Sequence, residues 1–534
     1  MLLNYKSIQE NKKELESKGY DLPKFDLEKT VQNTKENPRW IHFGGGNIFR
    51  GYIADLCQDL LNQNLVDTGI VVVETFDDEI IEKSYKPFDN LTLVALMKSN
   101  GDLIKKIVAS VSDSLVLNKD RAVLKDLFKK ESLQMVSFTI TEKGYATKNI
   151  DGSFLPLIEK DINGNIEEST HAISFLVSLL YERFKNGAYN IALVSMDNCS
   201  SNGAKLKDGV LTVAREWVKL GKLEEGFLAY LEDESKVSFP WSMIDKITPR
   251  PSQIVEEKLK ADGIENISPI QTSKNTFIAP FVNAEIPRYL VIEDSFPNGR
   301  PALEKIGVFL TTRETVNKTE TMKVTTCLNP LHTALAVYGC LLGYTSIAEE
   351  MKDKELVSLI TKMGYDEGMP VVVDPKIIDP KEFIKEVIEE RFPNPFIPDA
   401  PQRIATDTSQ KVGIRYGETI KSYVKSETLD PKNLVYIPLV LAGWLRYLLG
   451  VDDKGNNFDR SSDPIMEELS KVLEGIKVGD KASYKGNLKE LLTNDKLFGV
   501  NLVEVGLADK IEEMFLKMIS GVDAVRNTLK EYLN

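Results

Sequence analysis

The segment Lys323-Val-Thr-Thr-Cys-Leu-Asn329-Pro-Leu-His332 places an amine, an amide and an imidazole close together, in a chain of 534 residues with three histidines. A lysine that can act as a base, beside neutral hydrogen-bond donors, can move a proton on and off an alcohol without a metal. Asn329 followed by Pro330 reads as a helix N-cap with proline at the first helical position, opening the helix PLHTALAVYGCLLGY. A cap uses only the amide oxygen, so the NH2 of Asn329 stays available for a substrate oxygen. His332 falls in the first turn, where the helix dipole disfavours its protonation. Lys323 stands six positions before Asn329, a spacing that does not put both on one face of a regular helix, so a break at the cap is expected.

A second signal is nucleotide-like. Phe43-Gly44-Gly45-Gly46-Asn47-Ile-Phe-Arg50-Gly51 follows the β-rich run Trp40–Phe43 and leads into an amphipathic stretch. Glycines at a strand-to-helix turn let the backbone approach a pyrophosphate seated at the helix N-terminus. Gly44 and Gly46 fit that fingerprint, the third glycine position holds Phe49, and Asn47 and Arg50 are further cofactor candidates in the same segment. The next strand, Val71-Val-Val-Glu74-Thr-Phe-Asp77-Asp78, ends in acids. Glu74 or Asp77 could accept hydrogen bonds from ribose hydroxyls and would repel a 2′-phosphate, which favours NAD over NADP.

Other polar groups follow predicted strands: Ser195-Met-Asp197-Asn198-Cys-Ser-Ser-Asn202-Gly203, Thr141-Glu142-Lys143-Gly144-Tyr145, and Asp245 and Arg250 within Trp241–Pro251. Strand C-terminal ends are where open α/β sheets bind ligands. Asp, Asn and Ser also bond local backbone in turns, so each segment alone is ambiguous.

The elements that must position these groups divide the chain in two. Trp40–Phe43, Gly69–Val73, Leu91–Leu96, Met135–Thr139 and Asn190–Ser195 read as strands, and 48–62 and 172–185 as helices. Interleaved in this way they predict a mainly parallel sheet covered on both faces. From about residue 301 the pattern is helical: Pro330–Tyr344, Pro380–Arg391, Pro464–Leu473 and Asp509–Leu533. The fold class expected is α/β plus all-α. A Rossmann-type doubly wound sheet domain spans 1–300 and a mainly helical substrate-binding domain spans 301–534, with a hinge near Phe281–Pro301 and the site in a cleft between them.

Composition narrows the partners. A net charge of −13 with no basic block argues against nucleic acid. The first residues lack an apolar signal-like core, and the most apolar run, Val435–Val451, is interrupted by Pro438 and Arg446. A buried core helix and a cytoplasmic protein are therefore expected, with no membrane partner. Four cysteines without a CxxC pair and three scattered histidines argue against disulfides, zinc or iron. There is no Walker glycine-lysine pattern and no GxSxG elbow.

Seven segments in order, HFGGGNIFRG, TEKGY, SMDNCSSNG, SMIDKITPRP, VIEDSFPNGRP, KVTTCLNPLH and RIATDTSQKVGIRYG, make the chain resemble the polyol-specific long-chain dehydrogenase family. That family, the mannitol dehydrogenase family, includes mannitol 2-dehydrogenase, fructuronate reductase and tagaturonate reductase. The last three segments are most similar to the fructuronate reductase branch. The resemblance implies a metal-free, NAD-dependent oxidoreductase acting on a small sugar acid or polyol, as a monomer or small homo-oligomer. It implies Lys323 as catalytic base and Asn198 and Asn329 as the amides on the reacting oxygen. Asp245 and His332 would orient the site, and Glu142 would be the acid near the lysine. Arg403 and Lys411, with Arg250, would contact the distal groups or carboxylate of the substrate. The family usually has four residues between the lysine and the asparagine; here there are five, which leaves the register of Lys323 as the open question.

Overall fold

The computed structural model describes residues 1–149 and 151–534. The chain separates into two compact units, Met1–Asn317 and Lys318–Asn534, and the division falls inside the helix Arg313–Met322 rather than at residue 300. The stretch expected to be a hinge holds two strands of the first unit, Phe281–Ala284 and Tyr289–Glu293.

The first unit is built on six strands: β1 (Trp40–Phe43), β2 (Ile70–Glu74), β3 (Val111–Val116), β4 (Met135–Phe138), β5 (Ile191–Ser195) and β6 (Val237–Ser238). They lie in the order β3-β2-β1-β4-β5-β6, and every pairing is parallel. The central strands β2 and β5 are near-continuous apolar runs, buried throughout, because both faces of the sheet are covered. Ile41, Phe43, Val71 and Val73 enter one core with Ile191 and Leu193. Their alternates Trp40, Ile70, Val72, Ala192 and Val194 enter the other. Strand order reverses at β1, between β2 and β4, which is where ligands bind in sheets of this kind.

Leu91–Leu96 is a strand as predicted, Thr92–Met97, but it belongs to a second, mixed sheet with Tyr20–Asp21, Leu103–Val108 and Phe281–Ala284. A run of apolar residues does not say which sheet it joins. Helix α1 (Ala54–Asn62) is entered through a π-helical turn, Phe49–Ile53, and α2 (Asn202–Lys219) follows β5.

The second unit is helical. Its centre is α3 (Asn329–Leu342) against α4 (Tyr436–Tyr447), and nearly every residue of both is buried. The Tyr338 hydroxyl donates to the Leu439 carbonyl at 2.7 Å, and a Cβ on Gly443 would come within 2.6 Å of the Tyr338 ring. The apolar run around Pro438 is thus the core helix the sequence predicts. The long C-terminal pattern is two helices, Ala508–Met518 and Ala524–Leu533, because Gly521 at φ +154° lies between them. Among the described residues no helix is long and apolar enough to cross a membrane.

Candidate active site

In the first unit the C-terminal ends of β1, β2, β4 and β5 carry the expected groups. Gly44 directly follows β1 with φ +108°, and a Cβ there would lie 2.2 Å from the Thr139 carbonyl oxygen, so only glycine fits. Gly45 donates its N–H to Glu74 Oε2 at 2.8 Å and accepts the Tyr85 hydroxyl at 2.8 Å. A Cβ on Gly46 would meet nothing within 4 Å. The approachable side of the turn is therefore at Gly46 and Asn47, where the helix begins and its first N–H groups point outward. This fits a dinucleotide pyrophosphate. The Asn47 amide also donates to the Pro249 carbonyl at 3.4 Å.

Three residues expected at the cofactor carry other duties here. Glu74 is 4% exposed; besides Gly45, its carboxylate accepts the N–H groups of Thr75, Phe76 and Asp77 at 2.8–3.1 Å. Asp77 caps the next helix through the Glu79 N–H and accepts the Thr272 hydroxyl at 2.6 Å. Arg50 is buried, donating to the Ala279 carbonyl at 2.7 Å and to Thr92 at 3.3 Å. Each is held by backbone that sequence spacing cannot show, and together they shape the turn. Beneath it His42 contacts Ser137 and Thr139 at 2.6 and 2.8 Å, and burial pushes its pKa down to about 3.

After β5, Asp197 ties strand ends together, accepting from Ile140 N, Thr141 N and the Tyr145 hydroxyl at 2.9, 3.0 and 2.5 Å. Burial raises its pKa despite these donors. Asn202 is fully engaged with Asp197 and Ser242. Asn198 lies between these two residues in sequence and is exposed. Asp245 ends the strand Ser242–Asp245 and is 7% exposed. Glu142 is exposed and pairs with Lys205 at 2.5 Å. Arg250 is exposed too, its guanidinium 4.6 Å from the centre of the Phe277 ring.

In the second unit Lys323 is 3% exposed and opens a π-helical turn, Lys323–Cys327, closed by Leu328 N–H donating to the Lys323 carbonyl at 3.2 Å. A π turn holds one residue more than an α turn, so it absorbs a single insertion while the flanking helix keeps its faces. The register question raised by the fifth intervening residue has this structural counterpart. Asn329 is not the N-cap. That position is Leu328, at φ −135° and ψ −63°, with no side-chain cap. Asn329 is the first helical residue, half-buried, and its side-chain amide makes no hydrogen bond among the described residues.

His332 packs at 5.1 Å from Phe392, and its Nε2 lies 2.7 Å from Asp399 Oδ2. The contact is off the hydrogen-bond line, so it is an electrostatic contact more than a directed bond. Burial lowers the His332 pKa, and Asp399 offsets only part of that. Burial would raise Asp399, yet His332 and Arg403 together bring it below the usual carboxylate value. Arg403, on the short helix Pro401–Ile404, donates to Asp399 Oδ1 at 2.6 Å. Lys411 donates to the carbonyls of Ile404 and Thr406, and burial lowers its pKa. His332, Arg403 and Lys411 are thus brought into one cluster.

Two members of that cluster were missed in the sequence. Asp399 stands four before Arg403, an i,i+4 ion-pair spacing that could have exposed it. Arg415 stands four after Lys411, on the π turn Gly413–Gly417, and donates to the Thr333 hydroxyl. Among the described residues no three His, Cys, Asp or Glu side chains gather where they could hold a metal.

The mannitol dehydrogenase Rossmann domain model matches residues 38–305, and the mannitol dehydrogenase C-terminal domain model matches 315–519. A protein of Thermotoga maritima named D-mannonate oxidoreductase is 53% identical over 537 positions, 99% of both chains. The D-mannonate oxidoreductase of Escherichia coli is 28% identical, over 86% of this chain and 89% of its own. Among solved structures, a Pseudomonas fluorescens mannitol 2-dehydrogenase, in a ternary complex with NAD and D-mannitol, superposes with a TM-score of 0.72 at 25% identity, over 99% of both chains. With the sheet order, the glycine turn and both domain models in agreement, the chain belongs to the mannitol dehydrogenase family.

Proposed function

We propose that the protein interconverts fructuronate, a ketouronate, and mannonate, a sugar acid, with Lys323 as general acid and base. Its family makes it an NAD-dependent oxidoreductase acting on a CH–OH group. The substrate reading is supported by the likeness to the Thermotoga protein named for D-mannonate, along the full length of both chains. The observation that carries the chemistry is a lysine 3% exposed on a π turn that runs directly into Asn329. A lysine base needs such a desolvated setting.

The turn Gly44–Asn47 and the helix N-terminus it opens would hold the dinucleotide phosphates. Bound there, the nicotinamide would supply the hydride chemistry, accepting a hydride from the carbinol carbon in oxidation and returning it to the ketone carbon in reduction. In oxidation Lys323 takes the hydroxyl proton; in reduction it returns that proton to the ketone oxygen. Asn198 and Asn329 donate to the oxygen as it gains alkoxide character. Asp245 and His332, the latter held by Asp399, orient the reacting groups, and no step calls for a metal.

The test is NADH oxidation with fructuronate, tagaturonate and fructose side by side. Fructuronate should give the highest kcat/KM. A preference for tagaturonate or fructose would move the assignment to a tagaturonate reductase or a mannitol 2-dehydrogenase. In the same assay Lys323→Ala should lose about three orders of magnitude or more in kcat while NADH binding stays within a few-fold. Near-normal turnover in that variant would remove Lys323 from the chemistry.

A further inference from the structure

We propose that Arg415 recognises the substrate's carboxylate, and so separates a ketouronate or sugar acid from a neutral ketose or polyol. This rests on the substrate reading above and adds to it a residue that the family resemblance did not supply.

Arg415 is fixed close to the Lys323–Asn329 segment by bonds from residues that follow it. Its neighbour Tyr416 donates a hydroxyl hydrogen bond to the Pro330 carbonyl at 2.8 Å. Thr419, in the following helix, donates to the Thr325 carbonyl at 3.2 Å. Pro330 follows Asn329 directly, and Thr325 lies within the turn that Lys323 opens. The Gly413–Gly417 turn and the helix it opens are thereby tied to the Lys323–Cys327 turn and to the residue after Asn329. The Arg415 guanidinium itself donates to Thr333, one helical turn on from Asn329.

The charge at this point has no counter-charge. Among the described residues no Asp or Glu lies within ion-pair reach of Arg415, and Thr333 is its only hydrogen-bond partner. Its other N–H groups are not sealed from solvent, since none is among the buried polar atoms lacking a partner. The groups that sense one another here are Arg415, Arg403, Lys411 and His332, and the carboxylate touching the last-named side, Asp399, is shared by His332 and Arg403. A largely buried cation without a carboxylate is costly unless something anionic joins it. A planar guanidinium with parallel N–H groups is the side chain best matched to a carboxylate.

The competing cations are committed elsewhere. Arg403 is on Asp399, with its side chain 68% exposed. The Lys411 ammonium holds two backbone carbonyls. Arg250 lies over Phe277. Arg415 alone combines burial, an accessible fork and no internal anion.

The experiment compares the wild type, Arg415→Gln and Arg415→Lys in NADH-dependent reduction of fructuronate, with NADH binding measured by fluorescence as a check on folding. A recognition role predicts KM for fructuronate raised about 100-fold in Arg415→Gln, with kcat within about tenfold and NADH affinity unchanged. Arg415→Lys should recover part of that KM. A merely structural arginine would lower the active fraction, and so kcat, at unchanged KM. A KM within threefold of wild type in Arg415→Gln overturns the proposal. If that variant does not bind NADH, Arg415→Lys decides: KM raised tenfold or more supports the role, and an unchanged KM overturns it. A wild type that reduces fructose but neither fructuronate nor tagaturonate would sink the substrate reading itself, and this proposal with it; that failure is visible before any variant is made.

Discussion

Asn329 begins α3 without capping it, so the energetic consequences of losing its amide differ from those of losing a cap. Replacing a capping Asn by Ala usually costs about 1 kcal/mol of stability. Asn329→Ala should leave the melting temperature close to that of the wild type. Its kcat should fall by about two to three orders of magnitude, as when one donor to a developing oxyanion is removed. Thermal melts and steady-state kinetics on the same preparation check both halves; a clear loss of stability with intact turnover would return Asn329 to the role of a cap. The sequence pointed to Asn329 through its residue type and the proline after it. It misjudged the local conformation, because the preceding π turn moves the cap back to Leu328. Glu74, Asp77 and Arg50 are similar cases. Their positions after β1 and β2 were legible, while their partners, Gly45 N–H, Thr272 and Ala279 carbonyl, come from elsewhere in the chain.

At the scale of elements, the glycine turn after β1 and the π turns of the second unit do most of the positioning. Gly44 has a positive φ, and the backbone of Thr139, directly after β4, occupies the place where its side chain would go. Gly44→Ala should therefore push β1 and β4 apart at their C-terminal ends, costing about 3 kcal/mol or more. NADH affinity should fall with it. Denaturant unfolding and NADH titration measure the two effects, and an alanine variant that binds NADH like the wild type would mean that the turn is not the dinucleotide seat. Gly46→Ala is the control for stability alone, since a Cβ there meets no protein atom within 4 Å. Strand and helix placement was largely readable from apolar periodicity, as for β1, β2, β4, β5 and α4. Which sheet Thr92–Met97 joins was not, because pairing is settled by distant strands such as Phe281–Ala284. The π turn at Lys323 had only an indirect sign, the odd spacing to Asn329.

At the scale of the whole molecule, buried titratable groups set how stability responds to pH. Glu350 is fully buried, and neither carboxylate oxygen has a hydrogen-bond partner. Burial first, then the charges of Asp399 and Asp353, push its pKa from 4.5 to about 9. The unfolded chain releases this proton above about pH 4.5, whereas the folded chain keeps it until about pH 9. Within that window the folded state binds one more proton, so raising the pH destabilises the fold, by about 1.4 kcal/mol per pH unit for one proton. Glu350→Gln should thus gain stability over wild type as the pH is raised, with a larger difference in melting temperature at pH 8.5 than at pH 5. A difference that is the same at both would refute the buried, protonated carboxyl. His42 acts at the opposite end: with a folded pKa of about 3 against an ordinary ~6.5, it withdraws stability as pH falls between those values.

The sequence by itself determined the two-part architecture, the run of apolar strands, the glycine turn and the set of chemically able side chains around Lys323 and Asn329. These are local properties: periodicity, turn chemistry and residue type act over a few neighbours. Only the tertiary structure decided which charges are paired, which are buried, and which stay available. Arg403 and Arg415 look alike along the chain, yet one meets Asp399 and the other meets none. The physical reason is that a charge's worth depends on its surroundings in space, and those are assembled from segments far apart in sequence.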